Sequence, residues 1–197
     1  MTYNYMIGGV GGQGTVLASK LIAAAAIKKG FEARTTEFIG MAQRGGSVFG
    51  HCRIGEKIFS PKIPLGKANA IIGFEPAEAI RQLPYLSPNG IVIVCNNVIQ
   101  PVSGPSVGVY DGNAMIEYLK ANLTASNQAA KLIIIDGKQL TGQNAKTLNV
   151  SLLGAAVKAE IFPFDAQPFK EIFPEILPKH FLEMNLKAFN LGVEICP

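Results

Sequence analysis

Gly9, Gly11 and Gly14 stand at the G-x-G-x-x-G spacing inside MIGGVGGQGTVLASKLIAAAAIKKG, residues 6–30. With Gly12 and Gln13 they form a loop whose free backbone N–H groups, backed by the positive end of a following helix, can meet a phosphate or carboxylate without a side chain in the way. A tight turn that only packs strand against helix would use the same residues. Dinucleotide binding needs in addition an acid about twenty residues further on to hold the ribose. Glu37 stands near that place, and an ordinary surface glutamate is an equal reading of it. The second dense cluster is Gln43-Arg44-Gly45-Gly46-Ser47. Adjacent glycines can turn successive N–H groups toward one anion, and a guanidinium beside them grips carboxylate or phosphate through two bonds. A flexible hairpin entrance with an exposed arginine fits the cluster as well. His51 and Arg53, alternate residues of the next segment, could bring a titratable group and a charge to the same site.

The chemistry that is missing narrows the function. There is no nucleophile elbow, no H-E-x-x-H helix and no His/Cys set at metal-ligand spacing, and the only other histidine, His180, lies in the tail. Cys52, Cys95 and Cys196 are scattered without a C-x-x-C step, which argues against a disulfide framework, a zinc knuckle or an iron–sulfur cluster. The formal charge of +4 is spread with no basic run and no aromatic interleaving, so nucleic acid is not an expected partner. Residues 21–27, mostly alanine, are too few to span a bilayer, and no basic region leads into an apolar core at the N-terminus. A cytoplasmic location without membrane contact is expected.

The elements that must position these residues follow from periodicity. Residues 3–7 read as a strand that feeds the glycine loop directly, the context that gives the motif its meaning. Leu17, Leu21 and Ala24 recur at i, i+4 and i+7, the alanines at 23–26 let that helix lie close on a sheet, and Lys28-Lys29-Gly30 ends it. Residues 31–36 read as a second strand. Val48, Gly50, Cys52 and Ile54 then alternate with Phe49, His51 and Arg53, and Gly55-Glu56 reads as the turn of a hairpin completed by residues 57–60. The runs ANAIIGF, GIVIVCN and KLIIID are continuous, as strands covered on both faces of a parallel sheet are. Helices are expected at 75–86, 113–123 and 145–159, with a short one around Phe169 and a longer one from 177 to about 192. With 197 residues, 48% of them hydrophobic and 16% charged, the chain is expected to form one domain over residues 1–197. Its fold class is α/β, Rossmann-like and doubly wound, with a mostly parallel sheet, helices on both faces and an inserted hairpin.

With both loops in hand, the chain resembles the gamma-type component of the 2-oxoacid:ferredoxin oxidoreductases. The likeness is carried by Gly9-Val10-Gly11-Gly12-Gln13-Gly14, Met41-Ala42-Gln43-Arg44-Gly45-Gly46-Ser47-Val48 and His51-Cys52-Arg53-Ile54-Gly55, then by IIGFEPAEA at 71–79, NVSLLGA at 149–155 and NLKAFNLG at 185–192. Pyruvate- and oxoglutarate-type components tend to carry a tyrosine–glycine step before the arginine–glycine pair. Gly40-Met41-Ala42-Gln43 in that place is similar instead to the small (beta) subunits of indolepyruvate ferredoxin oxidoreductases. Cys52, where an aliphatic residue is more usual, and Asn69, where an aspartate is common, are minor departures.

The resemblance implies an enzyme that decarboxylates a 2-oxoacid on thiamine diphosphate, passes electrons through 4Fe–4S clusters to ferredoxin and forms an acyl-CoA, with coenzyme A as a substrate. This chain lacks the G-D-G…N magnesium–diphosphate motif, since no glycine precedes Asp111-Gly112 or Asp136-Gly137, and it lacks the cluster cysteines. Thiamine diphosphate, Mg2+ and the clusters are therefore expected on a larger partner subunit, leaving this chain without a tightly bound cofactor, metal or assigned catalytic residue and inactive alone. Gly9, Gly11, Gly12, Gln13 and Gly14 then serve as an anion loop near the coenzyme A phosphates, or in docking. Arg44, Gly45, Gly46 and Ser47 form a second anion or subunit-contact loop, in one pocket with the first at the carboxyl ends of the strands. Self-association of the isolated chain stays open. So do two other readings, a free-standing NAD(P)-dependent oxidoreductase resting on the glycine loop and Glu37, and a non-catalytic anion- or nucleotide-binding module.

Overall fold

The computed structural model describes residues 1–40, 45–100, 110–125, 129–141 and 145–197. β1 (Thr2–Val10) is the axis of the sheet, and its residues 4–10 are all buried. Because strand side chains alternate, Tyr5 and Ile7 enter the core on one face and Met6 the core on the other. The strand order is β2 (Glu32–Ile39), β3 (Ser47–Gly55), β1, β4 (Ala68–Gly73), β5 (Leu86–Cys95) and β6 (Lys131–Ile135). β1, β4, β5 and β6 pair in parallel, while β3 runs antiparallel to both β1 and β2. The expected α/β architecture with a mostly parallel sheet is present, with one antiparallel strand set between β1 and β2.

Unequal layers cover the two faces. On the first, α1 (Thr15–Lys28), α5 (Leu148–Lys158) and α6 (Gln167–Ile176) bury Leu21, Leu152, Leu153 and Phe169 against the sheet. α7 (Leu182–Ile195) packs on α5, where Gly154 lies against the carbonyl of Phe189 and Gly192 against that of Ser151. A Cβ on either glycine would overlap the opposing carbonyl oxygen, so these helices meet backbone to backbone. Phe189 packs between Phe169, tilted at 5.5 Å between centroids, and Phe173, edge-to-face at 5.4 Å. On the second face α2 (Pro76–Gln82) and α3 (Gly112–Ala125) pack, with Ile63, on Met6, Ile71, Val92 and Val94.

Several sequence expectations shift. The hairpin turn at Gly55-Glu56 is not formed, and residues 57–60 are not a strand. Both edges of β3 are already taken, by β1 and β2, so no edge is left for a third partner. The hairpin is instead β2–β3, and residues 56–67 cross it as a strap. Ile58 and Ile63 are buried beneath the strap. Its backbone is held by Glu32 at Ile58 N–H (2.8 Å), by Arg53 at the carbonyls of Ser60 (2.9 Å) and Lys62 (3.2 Å), and by His51 Nδ1, which accepts from Ile63 N–H (3.0 Å). The helix expected from 177 begins at Leu182, because Leu177 precedes Pro178 and is extended (φ −89°, ψ 143°). The helix expected at 75–86 ends at Gln82 and passes through a 3-10 turn containing Pro84 into β5. α4 (Gly137–Thr141), a single short turn after β6, is an addition. Among the described residues, no helix is long and apolar enough to cross a membrane.

Candidate functional site

The glycine loop leaves the carboxyl end of β1 and enters α1. Gly14, at the helix N-cap, has φ 81°, and its carbonyl accepts from Asn149 Nδ2 at 3.4 Å. Any side chain there would be strained and would overlap the Asn149 amide. A Cβ at Gly9 would come within 2.7 Å of Thr15 and 2.9 Å of Gln13 Oε1, so this glycine serves close strand–helix packing.

Three N–H groups at the loop, those of Val10, Gly11 and Gln13, are paired within the protein. Val10 N–H donates to Gln13 Oε1 at 2.8 Å, and Gln13 N–H donates to the Val10 carbonyl at 3.1 Å. Gln13 Nε2 donates onward to the carbonyl of Phe74 at 3.1 Å. Gly11 N–H donates to the carbonyl of Gly46 at 2.8 Å. Gln13 therefore fills the hollow of the loop with its own amide, and the second cluster engages it from the side. The β1–β3 ladder ends at the pair Val10 and Ser47, which places Gly45, Gly46 and Ser47 directly beside Gly11. Arg44, and Gln43 before it, lie outside the described residues.

Glu37 is not brought to this place. It pairs with Gly50 in the β2–β3 ladder, and the whole of β3 stands between it and β1. At about 4.8 Å per strand, that insertion carries the end of β2 roughly 10 Å from the strand that bears the loop. The Glu37 carboxylate adds to burial in pushing the Cys52 thiol up to about 12. His51 and Arg53 also point elsewhere, to the strap. His51 packs its ring against Tyr85 (5.2 Å) and Phe38 (5.5 Å), and burial, then Lys62, hold it below the ordinary histidine range.

The residues that do complete the loop end were not singled out by spacing. Glu75 and Glu78 are 0% and 1% exposed. Glu78 Oε2 accepts from the Ser47 hydroxyl at 2.6 Å, and Oε1 accepts from Arg81. Glu75 Oε2 accepts from Glu78 N–H at 3.1 Å, and Oε1 accepts from the Tyr110 hydroxyl at 2.8 Å. Burial is the main cause that raises the Glu75 carboxyl, and the bond from Tyr110 opposes it. The signal present in the sequence was FEPAE itself: a proline at the first helical position, an acid before it and an acid three residues on are what an N-cap looks like.

Cys52, Cys95 and Cys196 are free and separately buried. No group of three or more His, Cys, Asp or Glu side chains able to hold a metal ion occurs among the described residues. Grooves of about 330 and 310 Å³ run between α2 and α3, sharing Ile80 and Tyr118. Neither is lined by a residue of the two loops.

Comparison with known proteins matches residues 4–195 to the family described as pyruvate ferredoxin/flavodoxin oxidoreductase. Indolepyruvate oxidoreductase subunit IorB of Pyrococcus horikoshii is 36% identical over 194 residues, covering 98% of this chain and 95% of that one. The subunit of the same name from Thermococcus kodakarensis gives the same figures. Among solved structures, pyruvate oxidoreductase subunit PORC of Thermotoga maritima superposes with a TM-score of 0.71 at 19% identity, over 100% of this chain and 97% of that one. At that identity the structural likeness speaks for the fold alone.

Proposed function

Because the chain belongs to the pyruvate ferredoxin/flavodoxin oxidoreductase family, we propose that it is the small subunit of an indolepyruvate, or more broadly arylpyruvate, ferredoxin oxidoreductase. The assembled enzyme would decarboxylate the 2-oxoacid oxidatively, form the acyl-CoA and pass the released electrons to ferredoxin. The observation that carries this reading is the near-full-length likeness to indolepyruvate oxidoreductase subunits. In this reading the chain is a single cytoplasmic gamma-type domain, and thiamine diphosphate, Mg2+ and the iron–sulfur clusters are held by a larger partner.

The paired loops are the contact with that partner in this reading, with Gly11, Gly12, Gln13, Gly14, Gly45, Gly46 and Ser47 at its centre. Gln13 and Gly46 already satisfy the Val10 and Gly11 N–H groups, which favours a docking surface over an open phosphate cradle. A buried carboxylate next to Ser47 opposes an anion at the same spot. The position of Glu37 gives no support to a free-standing NAD(P) enzyme.

The test is anaerobic purification of the chain with its native complex, followed by viologen or ferredoxin reduction with indolepyruvate, phenylpyruvate and pyruvate in the presence of coenzyme A. A larger thiamine-bearing partner and activity confined to the aryl substrates are expected. Activity on pyruvate would revise the substrate, and tight binding of NADH by a partnerless chain would overturn the reading.

A further inference from the structure

Phe74-Glu75-Pro76-Ala77-Glu78 leads from β4 into α2 and belongs to neither loop by position in the chain. In the fold, α2 rests on β1 at Gly8, where an added Cβ would stand 3.1 Å from the Glu78 carbonyl oxygen. That close seating and the Glu75 carboxylate on its N–H fix the Glu78 backbone. Its side chain then reaches the second loop. Arg81, with 56% of its side chain exposed, neutralises Glu78 from the solvent side, whereas the half-buried Ser47 donates its hydroxyl to the other oxygen at 2.6 Å.

We propose that Glu78 is the positioning residue of the paired loops, holding Ser47 so that the neighbouring Gly46 carbonyl meets the Gly11 N–H and both loops present one surface to the partner subunit. The inference rests on the reading of these loops as a subunit contact. A buried carboxylate is tolerated where its lone pairs are filled, and both oxygens of Glu78 are engaged. A glutamine keeps an acceptor for Ser47 while giving up the charge that Arg81 meets. An alanine removes the acceptor and leaves the Ser47 hydroxyl unpaired. The two substitutions are therefore expected to separate geometry from charge.

The experiment measures hydrogen exchange at the Gly11 amide in the full chain, with the Ile72 amide inside β4 as a reference, and then affinity for the larger subunit. In Glu78→Ala and in Ser47→Ala, Gly11 exchange is expected to rise at least about tenfold, the scale of a hydrogen bond to a charged group, while Ile72 stays protected. Glu78→Gln is expected to stay near wild type at Gly11. Affinity for the partner follows the same order, and Ser47→Ala added to Glu78→Ala weakens it no further. Unchanged Gly11 protection in a folded Glu78→Ala chain overturns the proposal. Equal loss at Gly11 and Ile72 in all three variants also overturns it, since Glu78 would then be a general core residue. Loops that respond as expected in a wild-type background that binds no larger subunit uphold the positioning role and overturn the subunit reading instead.

Discussion

The α5–α7 side of the molecule and the α2 corner hold together by different means. On the first side, Phe169, Phe173 and Phe189 interlock and two glycines let helix backbones touch. At the corner, a seven-residue helix is secured by a run of polar bonds from Tyr110 through Glu75 and Glu78 to Ser47. Apolar burial is non-directional and roughly proportional to area, so the thick side stores stability without specifying any one contact angle. Hydrogen bonds contribute less in total but fix directions. The α1, α5, α6 and α7 face is thus held by apolar burial, and the corner proposed as the partner contact by directed polar bonds.

The largest effect is expected at Phe169. Phe169→Ala empties a fully buried position in the ring cluster and is expected to cost about 4 kcal/mol in denaturant unfolding. A loss below about 1 kcal/mol would mean the thick side is not the store of stability. Next comes Gly192→Ala, whose Cβ would press on the Ser151 carbonyl and force α5 and α7 apart, with an expected cost of about 3 kcal/mol. An unchanged melting temperature would show that this helix pair is loosely set.

Smaller effects are expected at the corner. Tyr110→Phe removes the donor to Glu75 and should cost about 1.5 kcal/mol while the far-UV circular dichroism stays that of the wild type. A cost as large as that of Phe169→Ala would erase the contrast between the two regions. The smallest effect is a pH dependence. The Glu75 carboxyl is raised in the folded chain, so its favourable contribution is complete below the ordinary value of 4.5 and fades as pH rises through the raised value. Glu75→Gln abolishes that titration. Urea midpoints of this variant relative to wild type should therefore climb between pH 4.5 and pH 8, and a difference that is flat across this range would show that Glu75 does not titrate above its ordinary value.

Local chemistry made the ends of the elements legible and left their neighbours undetermined. The loop, α1 and the continuous strands were readable because glycine spacing and apolar periodicity are properties of consecutive residues. Residues 57–60 read as the second strand of a hairpin because Gly55-Glu56 has the composition of a turn, until it is known that β3 has no free edge. The inward turn of the Gln13 amide depends on the carbonyl of Phe74, sixty-one positions away, which no local pattern announces.

The sequence alone determined the α/β class, the glycine turn into α1 and the likeness to the family, each of which depends on residue types at fixed short spacings. Tertiary structure alone decided three things. β3 enters between β1 and β2 and separates Glu37 from the glycine loop. His51 and Arg53 serve the strap rather than the loops. Glu78 reaches Ser47, thirty-one positions earlier in the chain. The physical reason is common to all three: which strand edges pair, and which buried carboxylate finds a donor, is settled by competition among distant segments for the same partners, and no local pattern encodes the winner.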